Sequence, residues 1–240
     1  MRPLVIGHRG ARRLAIENTL ESLRIALAEG ADGVEFDVQR TADGELVLFH
    51  DDSLRRLCGQ RGRVTQLPWR ELRGLRLRQD GLPEARIAHL DEVLELLAGS
   101  GASVDCELKA VSGNGPRLAE AVLPKLLQVD VARWWVSSFD AATLRRLADV
   151  QAPVRLAALV DRLPCDFSPL KKGTPPAHPI ASVNPAWQLV NPDRLAAWRG
   201  HGWQVWPWTV NAPRAWDELR EAGVDAIITD LPGELVRRWR

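Results

Sequence analysis

Residues 4–38 read LVIGHRGARRLAIENTLESLRIALAEGADGVEFDV. The apolar run Leu4–Gly7 is a short strand fit to be buried on both faces. A helix follows, opening at Asn18 with Glu21 three residues on in capping-box position. It shows Leu20, Leu23 and Leu27 on one face and stops at Gly30. Gly33–Val38 is the second strand. A strand, a helix and a second apolar strand in that order make a parallel βαβ unit, and the rest of the chain repeats the alternation.

Strand candidates fall at 4–7, 33–38, 104–108, 134–138, 155–160, 180–184, 203–210 and 225–229, with Glu45–Phe49 a further extended run. Helical patterns lie between them. Leu90–Ala98 carries Leu90, Val93, Leu94 and Leu97 on one side, and a helix from about Pro116 should kink or split at Pro124. Others follow Asp140 and Asn191-Pro192, and two more span Pro213–Ala222 and Pro232–Trp239. Eight strands in βα alternation within 240 residues fit a (β/α)8 TIM barrel, which typically takes about 250 residues. An open doubly wound sheet is the alternative, but no Gly-x-Gly-x-x-Gly turn follows the first strand. Residues 1–240 are expected to form one domain with a small insertion at about 51–88, rich in Arg, Gly and Pro, after the second strand. A second irregular, Pro-rich connection covers 161–179.

Lys+Arg 32 against Asp+Glu 31 leaves a formal charge of +1, so nothing global points to nucleic acid, and any attraction for phosphate has to be local. No run approaches a membrane-spanning length, and no strongly amphipathic helix offers an anchor, so no stable membrane association is expected. Cys58, Cys106 and Cys165 are an odd number without metal-ligand spacing, which fits free thiols in a reducing compartment. With strand chemistry beginning by His8, a cytoplasmic protein without a signal peptide is the expectation.

The chemistry gathers at strand ends. Side chains two apart on a strand share a face, so Glu35 projects with Asp37, and Glu107 with Lys109. Solvated surface charge is the plain alternative for the first pair. It weakens because Val34, Phe36 and Val38 are then the buried set, leaving the acids in the barrel interior or at its rim. Three carboxylates converging at a barrel mouth form an all-oxygen site suited to Mg²⁺ or Ca²⁺. His8 and His50 each stand just past an apolar strand, where imidazoles can act as acid and base near neutral pH. Arg9 offers a planar fork for phosphate oxygens and Lys109 a point charge. Trp206 and Trp208, two apart, can form one wall of a cleft, whereas Trp203 and Trp216 are expected to pack. His89, His178 and His201 are assigned no role.

The motifs His8-Arg9-Gly10, Glu17-Asn18-Thr19, Glu35-Phe36-Asp37-Val38, Thr41-Ala42-Asp43-Gly44 and His50-Asp51 come in that order. Glu107-Leu108-Lys109, Trp208-Thr209-Val210-Asn211 and Thr229-Asp230-Leu231-Pro232 complete the series. In that order and spacing the chain resembles the glycerophosphodiester phosphodiesterases over nearly its whole length. The resemblance implies a TIM barrel that hydrolyses glycerophosphodiesters to glycerol 3-phosphate and an alcohol, by way of a cyclic phosphate if the glycerol 2-hydroxyl attacks. It implies Glu35, Asp37 and Glu107 as ligands of a divalent cation, and His8 and His50 as the acid/base pair. Arg9 and Lys109 become phosphate contacts, Phe139 and Trp208 bracket the glycerol end, and Glu17 supports the metal or the His–Arg segment. The implied partner is a small-molecule substrate; oligomeric state is left open. Two departures stand out: Ala88-His89-Leu90 where Pro-Thr-Leu is usual, and Asp105 where an asparagine is common. Rival readings are a lysophospholipase D with the same site, a non-catalytic phosphodiester binder, and a metal-dependent aldolase or isomerase.

Overall fold

The computed structural model describes residues 2–111, 113–163 and 180–240. Most of the 161–179 connection, with Cys165 and His178, lies outside them. In chain order the elements are β1 (Leu4–Gly7), α1 (Leu20–Ala28), β2 (Gly33–Arg40), β3 (Leu46–Leu48), α2 (Arg55–Cys58) and α3 (Trp69–Leu72). A small hairpin, β4 (Arg76–Leu77) with β5 (Ala85–Arg86), precedes α4 (Leu90–Leu97), β6 (Ser103–Leu108), α5 (Gly115–Leu126) and β7 (Trp134–Ser138). The chain continues with α6 (Ala141–Asp149), β8 (Arg155–Val160), β9 (Ile180–Pro185), α7 (Pro192–Gly200), β10 (Gln204–Val205), α8 (Pro213–Ala222), β11 (Ala226–Thr229) and α9 (Pro232–Trp239).

The parallel strands run in the order β10-β9-β8-β7-β6-β2-β1-β11, with β3 as an antiparallel flap on β2. Main-chain bonds from Asp225 N to Val205 O (3.0 Å) and from Ile228 N to Pro207 O (3.0 Å) close the ring. This is the eight-stranded TIM barrel expected from the alternation. The strand expected at 203–210 is regular only over Gln204–Val205, because Pro207 has no N–H for the ladder. The run still follows β9, with Trp206 N on Val183 O and Trp208 N on Pro185 O, both at 3.0 Å.

Strand alternation divides the interior. Val34, Phe36 and Val38 of β2 and Val104, Cys106 and Leu108 of β6 face the helices in the main core. Phe36 meets Trp134 edge-on at 6.3 Å, an arrangement worth about 0.5–1.5 kcal/mol beyond its area. Inside the barrel, Ile6, Trp135, Ala157, Trp206, Ala226 and Ile228 form an apolar plug. Above that plug the inward positions turn polar, with Glu35, Asp37, Asp105, Glu107, Ser137 and Asn184 all buried.

Three local expectations are corrected. The N-cap of α1 is Thr19, which accepts from Ser22 N at 3.2 Å; the Asn18–Glu21 box does not form, because Asn18 (φ 57°) is turned toward Asp37. α5 is not split at Pro124 but continues through it as one helix, at the cost of the single bond a residue 124 N–H would give to Glu120 O. Trp206 is fully buried against Trp135 (centroids 4.4 Å apart) and is part of the plug, not a cleft wall. The departure at His89 is an N-cap: its side chain accepts from Asp91 N at 3.2 Å, and Glu92 Oε2 accepts from His89 N at 3.0 Å. The segment between β3 and α4 is more ordered than its composition suggests, because Phe49, Leu54, Leu57, Leu72 and Ile87 build a small core of their own.

Candidate active site

The polar end of the barrel interior opens into a cavity of about 120 Å³. His8, Arg9, Glu35, His50, Glu107, Lys109, Phe139 and Trp208 line it. The geometry begins at the turn after β1. Gly10 sits at φ 82°, where a Cβ would run into Ser22, and Arg9 itself is held at φ 53°. A bulky residue keeps such a conformation only when its surroundings over-determine it. Here the Arg9 main-chain N–H donates to Glu35 Oε2 at 2.8 Å, its Nη1 donates to Glu17 at 2.8 Å, and its Nε lies 3.2 Å from Asp37 Oδ2.

Glu35, Asp37 and Glu107 each place one carboxylate oxygen within 4.8 Å of the others, and all three are buried. Asn18 fixes Asp37 twice: its amide donates to Oδ2 at 2.8 Å and its Oδ1 accepts from the Asp37 N–H at 3.0 Å. Asp37 Oδ1 is left buried without a hydrogen-bond partner. Lys109 Nζ is 2.7 Å from Glu107 and 3.6 Å from Asp37. Burial pushes Glu107 up to about 8, with Asp37 adding to it, and lifts Glu35 well above the usual carboxylate range. Burial also opposes ionisation of Asp37, but the charges of Arg9 and Lys109 outweigh it and hold that carboxyl low. Buried acids that repel one another beside an orphaned oxygen fit a hard divalent cation.

Both histidines are anchored through Nδ1. His8 Nδ1 is 2.6 Å from Asp230 Oδ1, and His50 Nδ1 is 2.8 Å from Asp51 Oδ1. A carboxylate on Nδ1 fixes the proton there and leaves the Nε2 lone pair for the cavity. His8 Nε2 lies 4.0 Å from Glu35. Burial lowers both histidines below their ordinary value; Asp230 offsets this at His8, and Asp37 at His50. Each is therefore neutral and basic at pH 7.

Glu17 does not line the cavity. It is fully buried and meets Arg9 (2.8 Å), Arg12 (3.1 Å) and Arg56 (2.7 Å), which outweigh its burial and hold its carboxyl below the usual range. Arg56 also donates to Asp51 (Nε to Oδ2, 2.6 Å), and Arg12 Nε lies 3.8 Å from Asp230. Phe139 meets Trp208 edge-on at 5.5 Å, and the Trp208 indole N–H donates to Asn184 O at 2.6 Å. The chain positions of Asp230, Asp51, Arg12, Arg56 and Asn184 gave no sign of these contacts, although Asp51 and Asp230 lie inside matching motifs. No described helix is long and apolar enough to cross a membrane.

This barrel mouth gathers two carboxylate-anchored imidazoles, three clustered acids and two cations, groups able to move protons and to hold an anionic substrate. Residues 8–234 match the sequence profile of the glycerophosphoryl diester phosphodiesterase family, so the chain belongs to that family and is an enzyme of its kind. It is 29% identical to a glycerophosphodiester phosphodiesterase of Caldanaerobacter subterraneus, over 100% of this chain and 99% of the relative. To one of Bacillus altitudinis it is 31% identical, over 97% of this chain and 96% of the other. An Oleispira antarctica phosphodiesterase, solved in complex with the product sn-glycerol-3-phosphate, superposes with a TM-score of 0.86 at 26% identity, covering 98% of this chain and 96% of that one.

Proposed function

We propose that the protein hydrolyses glycerophosphodiesters to glycerol 3-phosphate and a free alcohol, with His8 and His50 as the acid/base pair. Glu35, Asp37 and Glu107 would hold a divalent cation, Mg²⁺ or Ca²⁺ by the hardness of the donors, and it would neutralise the phosphoryl oxygens. The observation that carries the reading is the double anchoring of the histidines, at 2.6 and 2.8 Å, around one cavity that also holds Arg9 and Lys109. One Nε2 takes the proton of the attacking hydroxyl, and the departing alkoxide takes one from the other imidazole, which gains it from solvent when the phosphate's negative charge beside it favours the protonated form. Arg9 is half committed to Glu17 and Asp37, so its remaining N–H groups are oriented for phosphate. Lys109 adds a charge beside the Phe139 ring, 5.8 Å from its centroid. Phe139 and Trp208 then bracket the glycerol end.

We read the whole chain as one catalytic domain acting on a small molecule in the cytoplasm. The test is glycerol 3-phosphate release from glycerophosphocholine with Mg²⁺, Ca²⁺ or chelator, for the wild type, His8→Ala and His50→Ala. Loss of release with chelator and a drop of about 10²-fold or more in kcat for each variant are expected. Near-normal turnover by either variant overturns the assignment of the pair, and undiminished activity in chelator overturns the cation.

A further inference from the structure

We propose that Gln39 is a positioning residue for the reaction: its amide ties the His50 segment to β2, so that one strand sets the distance between the Glu35–Asp37 acids and the imidazole that works beside them. The inference rests on the phosphodiesterase reading above and adds a residue which that reading does not use.

Glu35, Asp37 and Gln39 alternate along β2 and share its inward face. Gln39 is 1% exposed and does not line the cavity, so it acts through other residues. Its Nε2 donates to three successive carbonyls: Phe49 O at 2.9 Å, His50 O at 3.3 Å and Asp51 O at 2.8 Å. The ladder between β2 and β3 ends at Leu48, past which Phe49 N still donates to Asp37 O at 3.1 Å. From there the Gln39 side chain takes over from the ladder. Carbonyls that leave a sheet under cover need a new donor, and the glutamine amide supplies it from the neighbouring strand.

The direction of this amide is fixed by what surrounds it. Turned over, its oxygen would face three carbonyl oxygens, so the NH₂ end stays on the segment. Its Oε1 is buried without a partner, and nothing ties the amide elsewhere among the described residues. All of its hydrogen bonding is thus spent on residues 49–51. The His50 ring is held at Nδ1 by Asp51, and Asp51 in turn by Arg56. Gln39 holds the main chain from which both His50 and Asp51 project. Ring and anchor therefore keep one position relative to Asp37, two residues back along β2. His8 is tied differently, its main-chain N–H to Thr229 O at 2.8 Å and its ring to Asp230 at 2.6 Å.

The test compares wild type with Gln39→Met, which keeps the length of the side chain and removes the donor. With saturating cation, glycerol 3-phosphate release from glycerophosphocholine should fall about 10- to 100-fold in kcat, the scale of a misplaced catalytic group. KM should change little, because Arg9 and Lys109 are untouched. In a His50→Ala background the same substitution should cost nothing further, since the group it positions is gone. Imidazole ¹⁵N shifts should change for His50 and stay in place for His8. Thermal midpoints and calorimetric cation affinity check the fold and the acids, Asp37 being two residues away. If Gln39→Met does not fold, Gln39→Glu, which keeps one donor when protonated, serves the same comparison.

A further loss in the His50→Ala background as large as that in the wild type overturns the inference, as does a shift of the His8 signals equal to that of His50. Wild-type kcat in Gln39→Met, or a loss matched by weaker cation binding, overturns it too. A wild type that releases nothing with cation present refutes the phosphodiesterase reading instead, and the ¹⁵N comparison, which needs no turnover, then still decides whether Gln39 places His50.

Discussion

Replacing Asp230 by asparagine should damage the enzyme more than replacing it by alanine. Asp230 Oδ1 meets His8 Nδ1 at 2.6 Å, while Oδ2 accepts from Asn211 Nδ2 at 2.8 Å. Asn211 cannot turn over, because its Oδ1 receives the Asp230 main-chain N–H at 2.9 Å and the Thr229 hydroxyl at 3.1 Å. An asparagine at 230 must therefore offer its oxygen to Asn211 and its NH₂ to His8. Facing a donor, Nδ1 becomes the acceptor and the proton moves to Nε2, the atom that should carry the lone pair. A forced tautomer of this kind removes about 10³- to 10⁴-fold of kcat. Alanine forces nothing. Thr209 Oγ1, already 3.4 Å from Nδ1, can take over as acceptor, and the loss should be nearer 10- to 100-fold through poorer orientation. Steady-state glycerol 3-phosphate release with saturating cation measures both variants, and imidazole ¹⁵N shifts report the tautomer. The reasoning fails if Asp230→Asn stays within about tenfold of wild type, or if alanine proves the worse at matched thermal midpoints.

Glu17→Gln should cost about 1.5–3 kcal/mol of stability at neutral pH, because Arg9, Arg12 and Arg56 lose the buried carboxylate they share while each keeps its second partner, Asp37, Asp230 or Asp51. Glu17 has a lowered folded pKa, so its contribution is present above its ordinary value of 4.5 and is lost as pH falls; urea midpoints of wild type and variant should converge in acid, and parallel curves refute this. Without cation, Glu107 titrates near 8 and carries a proton at pH 7; calorimetry in buffers of different ionisation enthalpy should show proton release on Mg²⁺ or Ca²⁺ binding, with affinity rising toward pH 8, whereas a buffer-independent heat argues against it. Arg56→Ala should lower kcat about tenfold through His50 while changing stability by under about 1 kcal/mol, since Arg56 is half exposed; lysine, lacking the fork that bridges Asp51 and Glu17, should rescue only partly, and full rescue would refute the bridge.

Sequence reading reached whatever is periodic or local. The two-residue spacing of Glu35 and Asp37, with apolar neighbours between, located both acids inside the barrel, and the strand-end positions of His8 and His50 located the imidazoles. Contacts made by ring closure were out of reach. Asp230 is separated from His8 by 222 positions and Asn184 from Asp105 by 79, and only the strand order β6-β7-β8-β9 and the β1-β11 pairing bring them together. Asn18 misled because an asparagine before a helix reads as a cap, whereas its amide is spent on Asp37. Trp206 shares its face with Trp208, but two residues along a strand is about 7 Å, enough to move from cavity wall to plug.

The arginines around Glu17 show how the rest of the site is tied together. Each bridges this buried carboxylate to a different working part: Arg9 to Asp37 at 3.2 Å, Arg12 to Asp230 at 3.8 Å and so to His8, Arg56 to Asp51 at 2.6 Å and so to His50. The first two come from the turn after β1, but Arg56 comes from α2, in the segment between β3 and α4. That helix is only four residues long and has no side-chain N-cap, so it cannot hold itself in place. Leu54, Leu57 and Cys58 fix it by packing with Phe49, Leu72 and Ile87 in the segment's own core. The apolar residues of a stretch that looks like loop thus help to position one of the two histidines, together with Gln39 of β2, whose Nε2 donates to Phe49 O at 2.9 Å and to Asp51 O at 2.8 Å. A change in that core, such as Leu57→Ala, should shift the His50 imidazole ¹⁵N signals through Arg56 and Asp51 and leave those of His8, on its Arg12–Asp230 arm, unchanged; equal shifts at both would refute the two arms.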